Sequence, residues 1–173
     1  MARVGIPRWL ACSTSSSGWL APSRNDPFVF THQGATWTGD NVKPLRGIRY
    51  PIDVAQMKEL KAKSEADGKG SWPFAEVENG CGASELKARM QKALDWGKQE
   101  GVPLYCGEFG TIQREWTPAA DRIQWLKDVR TVLDDAGSGW AMWAYHAGFD
   151  LVDKQDVPFP RMAEALGLSP PKK

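Results

Sequence analysis

Helical periodicity and short apolar runs alternate twice between residues 84 and 145, and this order limits the fold more than any other feature of the sequence. Apolar residues recur at helical spacing over residues 84–99 and 117–137, whereas residues 102–106 and 139–145 form short, mostly apolar runs. Such runs are typical of strands that are buried on both faces of a parallel sheet. A helix–strand–helix–strand order with short connections predicts a parallel α/β protein.

Residues with capping chemistry mark the predicted helix ends. Asp53 is the predicted N-cap of a further helix that ends near residue 66, and Ser84 is the predicted N-cap of the first helix named above, which Gly101 closes. Thr117 is the predicted N-cap of the last helix. Pro118 is predicted to take the first helical position, where a backbone N–H makes no hydrogen bond within the helix, so that proline loses none there.

Length and charge exclude several classes of protein. The 173 residues favour one domain, and a complete eight-stranded α/β barrel takes about 250 residues and rarely fewer than about 200, so the chain is too short for one. Lys and Arg total 22 against 21 Asp and Glu, and this net charge of +1 gives no field that attracts nucleic acid or an anionic membrane. No dinucleotide-binding or P-loop motif follows either predicted strand, and no apolar run is long enough to span a bilayer.

Tryptophan is over-represented, with 9 Trp against 3 Tyr and 6 Phe. The surplus fits either a Trp-rich core or a groove of flat platforms for ligands such as sugar rings, and composition does not choose between them. Cys12, Cys81 and Cys106 form no C-x-x-C pair and have no histidine at metal-ligand spacing, so neither a metal site nor a disulfide framework is expected, although the count allows one pair. Cys106 lies in an apolar run and is predicted to be an inert core thiol.

The first 26 residues differ from the rest of the chain. They contain the low-complexity run 13–17 and show no apolar periodicity, so we expect a disordered or frame-shifted leader. Pro7 and Arg8 interrupt the apolar stretch that a signal peptide needs, so none is predicted. The predicted organisation is a leader over 1–26, a folded domain over 27–168 and a tail over 169–173.

Two residues at the ends of the predicted strands have side chains suited to chemistry. Glu108 directly follows the first strand and Trp143 lies near the end of the second. The active sites of parallel α/β proteins lie beyond the carboxyl ends of the strands. A carboxylate beside an indole suits the cleavage of sugars, because the carboxylate attacks or stabilises an oxocarbenium-like centre while the indole stacks on the ring. The alternatives are that Glu108 caps a backbone N–H or pairs with Arg114 or Arg122, and that Trp143 packs in the core.

Three segments follow one another with helices between them. They are residues 28–37 (Phe-Val-Phe-Thr-His-Gln-Gly-Ala-Thr-Trp), residues 102–110 (Val-Pro-Leu-Tyr-Cys-Gly-Glu-Phe-Gly) and residues 139–149, which begin Gly-Trp-Ala-Met-Trp-Ala-Tyr. In this order they resemble the loop leaving strand six, the seventh strand with its nucleophile, and the eighth strand with its sugar-platform Trp, in glycoside hydrolase family 5, the cellulase family. The resemblance covers about residues 27–168.

The resemblance implies a partial (β/α)8 TIM barrel, roughly strands six to eight with their helices, which is the C-terminal half of a family 5 catalytic domain. It implies an endo-β-1,4-glucanase (cellulase) that hydrolyses a β-glucan or oligosaccharide with retention. Glu108 matches the nucleophile and Trp143 the platform, while His32 and Trp37 match a loop expected to contact the substrate. For His32 the alternative is a loop histidine satisfied by neighbouring backbone. The resemblance implies no cofactor and no metal, and a secreted or periplasmic location.

The chain also departs from the family pattern. The acid/base Glu of the family follows an Asn at the end of strand four, and no Asn-Glu dipeptide occurs in this sequence. Ser23 and Asn25 stand where the family has a His-x-Tyr pair, and strands one to five, with the Arg of strand three, have no counterpart. A retaining glycosidase needs a second carboxyl group to protonate the leaving oxygen. Four loop carboxylates are spare but have no assigned role, namely Asp40, Glu76, Glu78 and Glu115.

These departures leave two functions open. One is the C-terminal part of a family 5 endoglucanase from a truncated or frame-shifted gene, and the other is a non-catalytic glucan-binding half-barrel with Trp platforms. A third outcome is a half-barrel that folds poorly, in which open sheet edges and an apolar face meant for the missing strands promote self-association. Trp72 and Trp116 fall in loops where packing is the expected role, and His146 is predicted to be a surface residue.

Overall fold

The computed structural model describes residues 25–69 and 74–169. The predicted leader up to residue 24, with Cys12, and the loop residue Trp72 lie outside the described residues. Within these ranges the helices and strands are α1 (Phe28–Thr31), α2 (Val54–Ala66), a 3-10 helix (Phe74–Val77), α3 (Ala83–Glu100), β1 (Tyr105–Phe109), α4 (Ala119–Asp135), β2 (Gly139–Met142) and α5 (Met162–Ala165).

Strands β1 and β2 form a two-stranded parallel sheet. Tyr105 lies opposite Gly139 and Phe109 opposite Met142, with an irregularity between Cys106 and Phe109. Helix α4 connects the two strands and packs against both α3 and β2. The predicted helix–strand–helix–strand order is therefore confirmed. Within the described residues two of the three expected strands form, and the segment expected to leave the remaining strand begins with the single turn α1.

The helix caps confirm two predictions and correct two, of which the second, at the start of α4, is described below. Asp53 Oδ1 accepts hydrogen bonds from the backbone N–H groups of the second and third residues after it, at 2.9 and 3.1 Å, so Asp53 is the N-cap of α2. Gly101 closes α3 in the left-handed conformation. The prediction of Ser84 as the N-cap of α3 was wrong, because α3 begins at Ala83, after Gly82. The Glu85 carboxylate accepts from the Gly82 N–H, and this bond fixes the earlier start.

The predicted start of the first strand was three residues too early. The Val102 N–H donates to the Gly97 carbonyl and so completes the end of α3, and Pro103 has no N–H to offer a neighbouring strand. Strand β1 consequently begins at Tyr105 and includes Glu108, which was predicted to follow the strand. Strand β2 ends at Met142, so Trp143 is the first residue beyond it.

The start of α4 also differs from its prediction. Pro118 has an extended backbone and precedes the helix, which begins at Ala119. Thr117 does not cap it, since its hydroxyl oxygen is buried without a hydrogen-bond partner. The Thr117 N–H donates to the Arg114 carbonyl, which places Thr117 in the preceding turn.

Most of the buried apolar side chains form one cluster between α1, the helices and the sheet. Trp125 of α4 lies in its centre, fully buried, and its indole N–H donates to the Asp26 carbonyl at 2.8 Å. Cys106 is buried as predicted, and Cys81 is buried and free as well. No helix within the described residues is long and apolar enough to cross a membrane.

Some of the described tryptophans lie in the core and others are exposed, so both interpretations of the tryptophan surplus hold in part. Trp125 belongs to the core, and Trp96, Trp116 and Trp140 are half-buried against it or against neighbouring loops. Trp37 and Trp143, by contrast, are 59% and 46% exposed. The two exposed indoles are therefore the ones available to a ligand.

Candidate active site

Three loops meet at the carboxyl end of the sheet. We call residues 32–52 the α1 loop, residues 110–118 the β1 loop and residues 143–161 the β2 loop. Each contributes one residue to a small buried cluster of Ala35, Ile112 and Phe149. Backbone hydrogen bonds reinforce the contact, because the Ile112 N–H donates to the Thr31 carbonyl at 2.9 Å and the Gln113 N–H to the Gly148 carbonyl at 2.7 Å. The ends of both strands are thus held in one fixed surface.

Glu108 lies on β1 beside this surface and is half-buried. Its carboxylate makes no hydrogen bond or ion pair with any of the described residues. The alternative pairing with Arg114 or Arg122 does not form, since both guanidinium groups donate to backbone carbonyls. The carboxylate is therefore not committed to any of the ion pairs that the described residues form.

Trp143 is tied to the strand that carries Glu108. Its backbone N–H donates to the Phe109 carbonyl at 2.8 Å, so the strand ends are linked at Trp143 itself and one residue after Glu108. A Cβ on Gly110 would lie 2.0 Å from the Trp143 carbonyl oxygen, which only glycine avoids. The indole projects as an exposed side chain, and the alternative of core packing for Trp143 does not hold.

His32 is buried between two aromatic rings. Its ring stacks on Phe28 with centroids 4.0 Å apart and meets the edge of Phe149 at 5.3 Å. Nδ1 lies 2.9 Å from the Thr31 hydroxyl oxygen, so the polar partner is a side chain instead of the backbone. Burial lowers the pKa of His32 from 6.5 to about 4, because desolvation penalises the charged ring. Trp37 lies against the same Phe149, with ring centroids 6.4 Å apart.

Arg122 is a buried cation that connects two of the loops. It is 2% exposed, and Nη2 donates at 2.6 Å to the carbonyls of both Phe149 and Asp150, while Nε donates to the Thr111 carbonyl at 3.2 Å. Burial lowers the pKa of Arg122 to about 10. From the sequence, Arg122 was expected only as an alternative partner of Glu108. A charged residue at helical spacing from Leu126 and Leu133, on the apolar face of α4, is the signal that could have identified it.

Tyr145 and Asn25 also reach the site and were not predicted to. Tyr145 is 54% exposed, two residues after Trp143 in the β2 loop. The Asn25 side-chain oxygen accepts from the Gly110 N–H at 3.0 Å. Periodicity gives no signal for either residue, because both lie in irregular segments.

The remaining candidates lie outside the group. Trp116 packs under Arg46, whose guanidinium carbon is 4.1 Å from the ring centroid, so the expected packing role is confirmed. His146 is a surface residue, as predicted, and its Nε2 lies 3.2 Å from Asp156. Glu78 pairs with Lys61, whereas Asp40, Glu76 and Glu115 are exposed. Across residues 25–69 and 74–169 no three His, Cys, Asp or Glu side chains are grouped so that they could hold a metal ion.

Comparison with known proteins relates this site to one enzyme family. The family model described as Cellulase (glycosyl hydrolase family 5) matches residues 51–148. Endoglucanase 3 of Fibrobacter succinogenes is 26% identical over 147 residues, which cover 83% of this chain and 22% of that protein. Endoglucanase C of Acetivibrio thermocellus is 28% identical over 122 residues, covering 69% of this chain and 34% of that protein. The chain thus spans about a fifth to a third of the length of these relatives.

Solved structures agree with the sequence comparisons. A hyperthermophilic endo-β-1,4-glucanase in complex with substrate matches with a TM-score of 0.58 and 25% identity, over 86% of this chain and 38% of the other. Endoglucanase Cel5A of Thermotoga maritima matches with a TM-score of 0.62 and 21% identity, over 94% of this chain and 42% of the other. The predicted partial α/β barrel is confirmed, and since the family model matches more than half of the sequence, the chain belongs to glycosyl hydrolase family 5, the cellulase family.

Proposed function

We propose that this chain carries the nucleophile side of a retaining endo-β-1,4-glucanase site. Glu108 is the nucleophile, Trp143 is the platform under the sugar, and His32 and Trp37 contact the substrate from the α1 loop. The observation that carries the proposal is the Glu108 carboxylate, which is unpaired among the described residues and lies one residue from the Phe109–Trp143 hydrogen bond. A free carboxylate beside an exposed indole can approach one face of a sugar ring while the indole covers another.

The proposed reaction proceeds in two displacements. A Glu108 oxygen forms a bond to the anomeric carbon as the bond from that carbon to the leaving oxygen breaks, and the leaving oxygen takes a proton from an acid. Water then hydrolyses the glycosyl ester and restores the configuration. The acid is a second carboxyl group about 5 to 5.5 Å from the first. Because the sequence has no Asn-Glu dipeptide, we assign the acid to the portion of the relatives that this chain does not span.

His32 suits a sugar contact through its protonation state. With a pKa of about 4 the ring is neutral near pH 7, and since Nδ1 lies at the Thr31 hydroxyl, Nε2 is the nitrogen that can hydrogen-bond a sugar. A neutral ring also avoids a positive charge next to the oxocarbenium-like centre. Trp37, against the same Phe149, offers an exposed ring for stacking on a neighbouring sugar.

Covalent trapping tests the nucleophile. A 2-fluoro-cellobioside with a dinitrophenolate leaving group requires no acid for the first displacement, because the leaving group departs as a stable anion. We expect mass spectrometry to show a glycosyl adduct on the peptide that contains Glu108, and none in Glu108→Gln. Glu115→Gln, which removes an exposed carboxylate on the β1 loop, is the matched control and keeps the adduct. An adduct on another residue, or none in the wild-type chain, contradicts the assignment.

The exposed aromatic side chains favour a second candidate, a non-catalytic glucan-binding half-barrel. Trp37, Trp143 and Tyr145 are each about half exposed and belong to loops at the same end of the sheet. In this case calorimetry shows cellotetraose binding that survives Glu108→Gln and weakens in Trp143→Ala. Trp96→Ala is the control, because Trp96 packs beside Leu104, which precedes β1, at the other end of the sheet. Binding without covalent trapping would identify this function.

Substrate and location follow from the same proposal. We propose a β-1,4-linked glucan as substrate and a secreted or periplasmic location, since a polymer of this kind is met outside the cytoplasm. Structures of the Thermotoga maritima relative are described with cellobiose and with mannotriose, so mannan fragments belong in the binding assay. Self-association through the free edges of β1 and β2 stays a prediction, which sedimentation velocity tests.

A further inference from the structure

Arg122 stands out among the buried charged groups because its hydrogen bonds join separate loops. It lies in the first turn of α4, and within the described residues its guanidinium donates only to backbone carbonyls. Thr111 belongs to the β1 loop, while Phe149 and Asp150 belong to the β2 loop. One side chain therefore fixes the separation of the two loops that continue β1 and β2.

The acceptors of Arg122 are close in sequence to the candidate site residues. Thr111 lies three residues after Glu108, and its neighbour Ile112 donates to the α1 turn that precedes His32. Phe149 is the ring against which His32 and Trp37 both lie. A shift of the Thr111 or Phe149 backbone would consequently change the spacing between the nucleophile, the platform and the α1 loop.

We propose that Arg122 is a positioning residue for sugar binding, which holds the β1 and β2 loops so that Glu108, Trp143, His32 and Trp37 face a single glucan chain. This inference rests on the proposed function of that site. Arg122 does not touch the substrate, and it acts through the carbonyls of Thr111, Phe149 and Asp150.

The geometry explains why this position requires arginine. The planar guanidinium presents several N–H donors in fixed directions, so it can reach carbonyls on two loops at once. A lysine ammonium at the end of a flexible chain keeps the charge but not this fork. An apolar residue of similar length would leave the three carbonyls without their donor in a buried setting. The Asp150 carboxylate does not take the place of these carbonyls as an acceptor for Arg122, since its Oδ1 accepts from the Gly148 N–H within the β2 loop.

The test separates positioning from general stability. Arg122→Lys and Arg122→Met are compared with Leu133→Ala, which removes a buried side chain near the other end of α4. Cellotetraose affinity is measured by calorimetry at a temperature where circular dichroism shows every variant to be folded. We expect both Arg122 variants to bind cellotetraose at least about tenfold more weakly than the wild type, because charge-assisted hydrogen bonds are lost. Leu133→Ala is expected to bind it as the wild type does.

Amide hydrogen exchange supplies a second readout that does not depend on sugar. The Gln113 N–H, bonded to the Gly148 carbonyl across the two loops, is expected to lose protection in Arg122→Lys and to keep it in Leu133→Ala. Equal losses of affinity in all destabilised variants, or unchanged loop protection in Arg122→Lys, overturn the inference while leaving the proposed function intact. A wild-type chain that binds no oligosaccharide overturns the proposed function and this role together.

Discussion

Acidification is expected to destabilise the fold through His32. Burial lowers the pKa of this ring from 6.5 to about 4 in the folded protein. Between these two values the unfolded chain binds a proton that the folded chain does not, so the stability is complete above the unfolded pKa and is lost as the pH falls toward the folded one. A tenfold difference in proton affinity is worth about 1.4 kcal/mol, so the full effect approaches roughly 3 kcal/mol. This is a large part of the 5–15 kcal/mol that typically stabilises a domain.

Urea unfolding across this pH range measures the effect. The free energy of unfolding is determined between about pH 4 and pH 7 for the wild type, His32→Gln and His146→Gln. His146 is the other histidine of the chain and is exposed, so it is the matched control. We expect the pH dependence to flatten by up to roughly 3 kcal/mol in His32→Gln, and to flatten more there than in His146→Gln. The carboxylates titrate in all three proteins and cancel in the comparison.

Two results would refute this reasoning. The first is a wild-type profile that matches that of His32→Gln at every pH, which would mean that the ring is protonated as easily in the folded chain as in the unfolded one. The second is a gain in stability on acidification that disappears in His32→Gln, which would mean that folding raises the pKa. Direct titration of the His32 ring protons by NMR then identifies the error, since it reports the folded pKa without reference to unfolding.

Three further substitutions test particular contacts by urea or thermal unfolding. Gly110→Ala places a methyl group against the Trp143 carbonyl, so we expect it to lower the free energy of unfolding by about 3 kcal/mol or more and to weaken oligosaccharide binding. The control, Gly101→Ala, is strained only by its positive φ and is expected to lose about 1 kcal/mol. Equal losses in the two variants would contradict the close approach at Gly110. Asp53→Ala removes the α2 cap and is expected to cost about 1 kcal/mol, and an unchanged melting temperature would argue against that cap. Asp121→Asn weakens bonds from an arginine and a buried backbone N–H, with an expected loss of about 1–3 kcal/mol; no loss would show that these bonds are unimportant.

Local patterns predicted the order of the elements and the motifs of the site. The spacing of apolar residues in α3 and α4, the carboxylate of Asp53 and the glycine at Gly101 each act over a few residues, so they can be recognised without a structure. The family resemblance depends on similar short segments, and it placed Glu108 and Trp143 at the ends of neighbouring strands. The errors at element ends are boundary shifts of one to three residues, and at the starts of α3 and β1 a hydrogen bond that was not predicted sets the boundary.

The environment of these residues, by contrast, depends on tertiary packing. His32 is neutral because Phe28 and Phe149, the latter more than a hundred residues away in sequence, exclude water from its ring. Arg122 connects two loops because α4 returns beneath them. The parallel helix–strand order and the family could be recognised from short segments of sequence, since hydrogen bonds and periodicity within an element are local. Desolvation and loop separation depend on which distant segments pack together, and no short stretch of the chain contains that information.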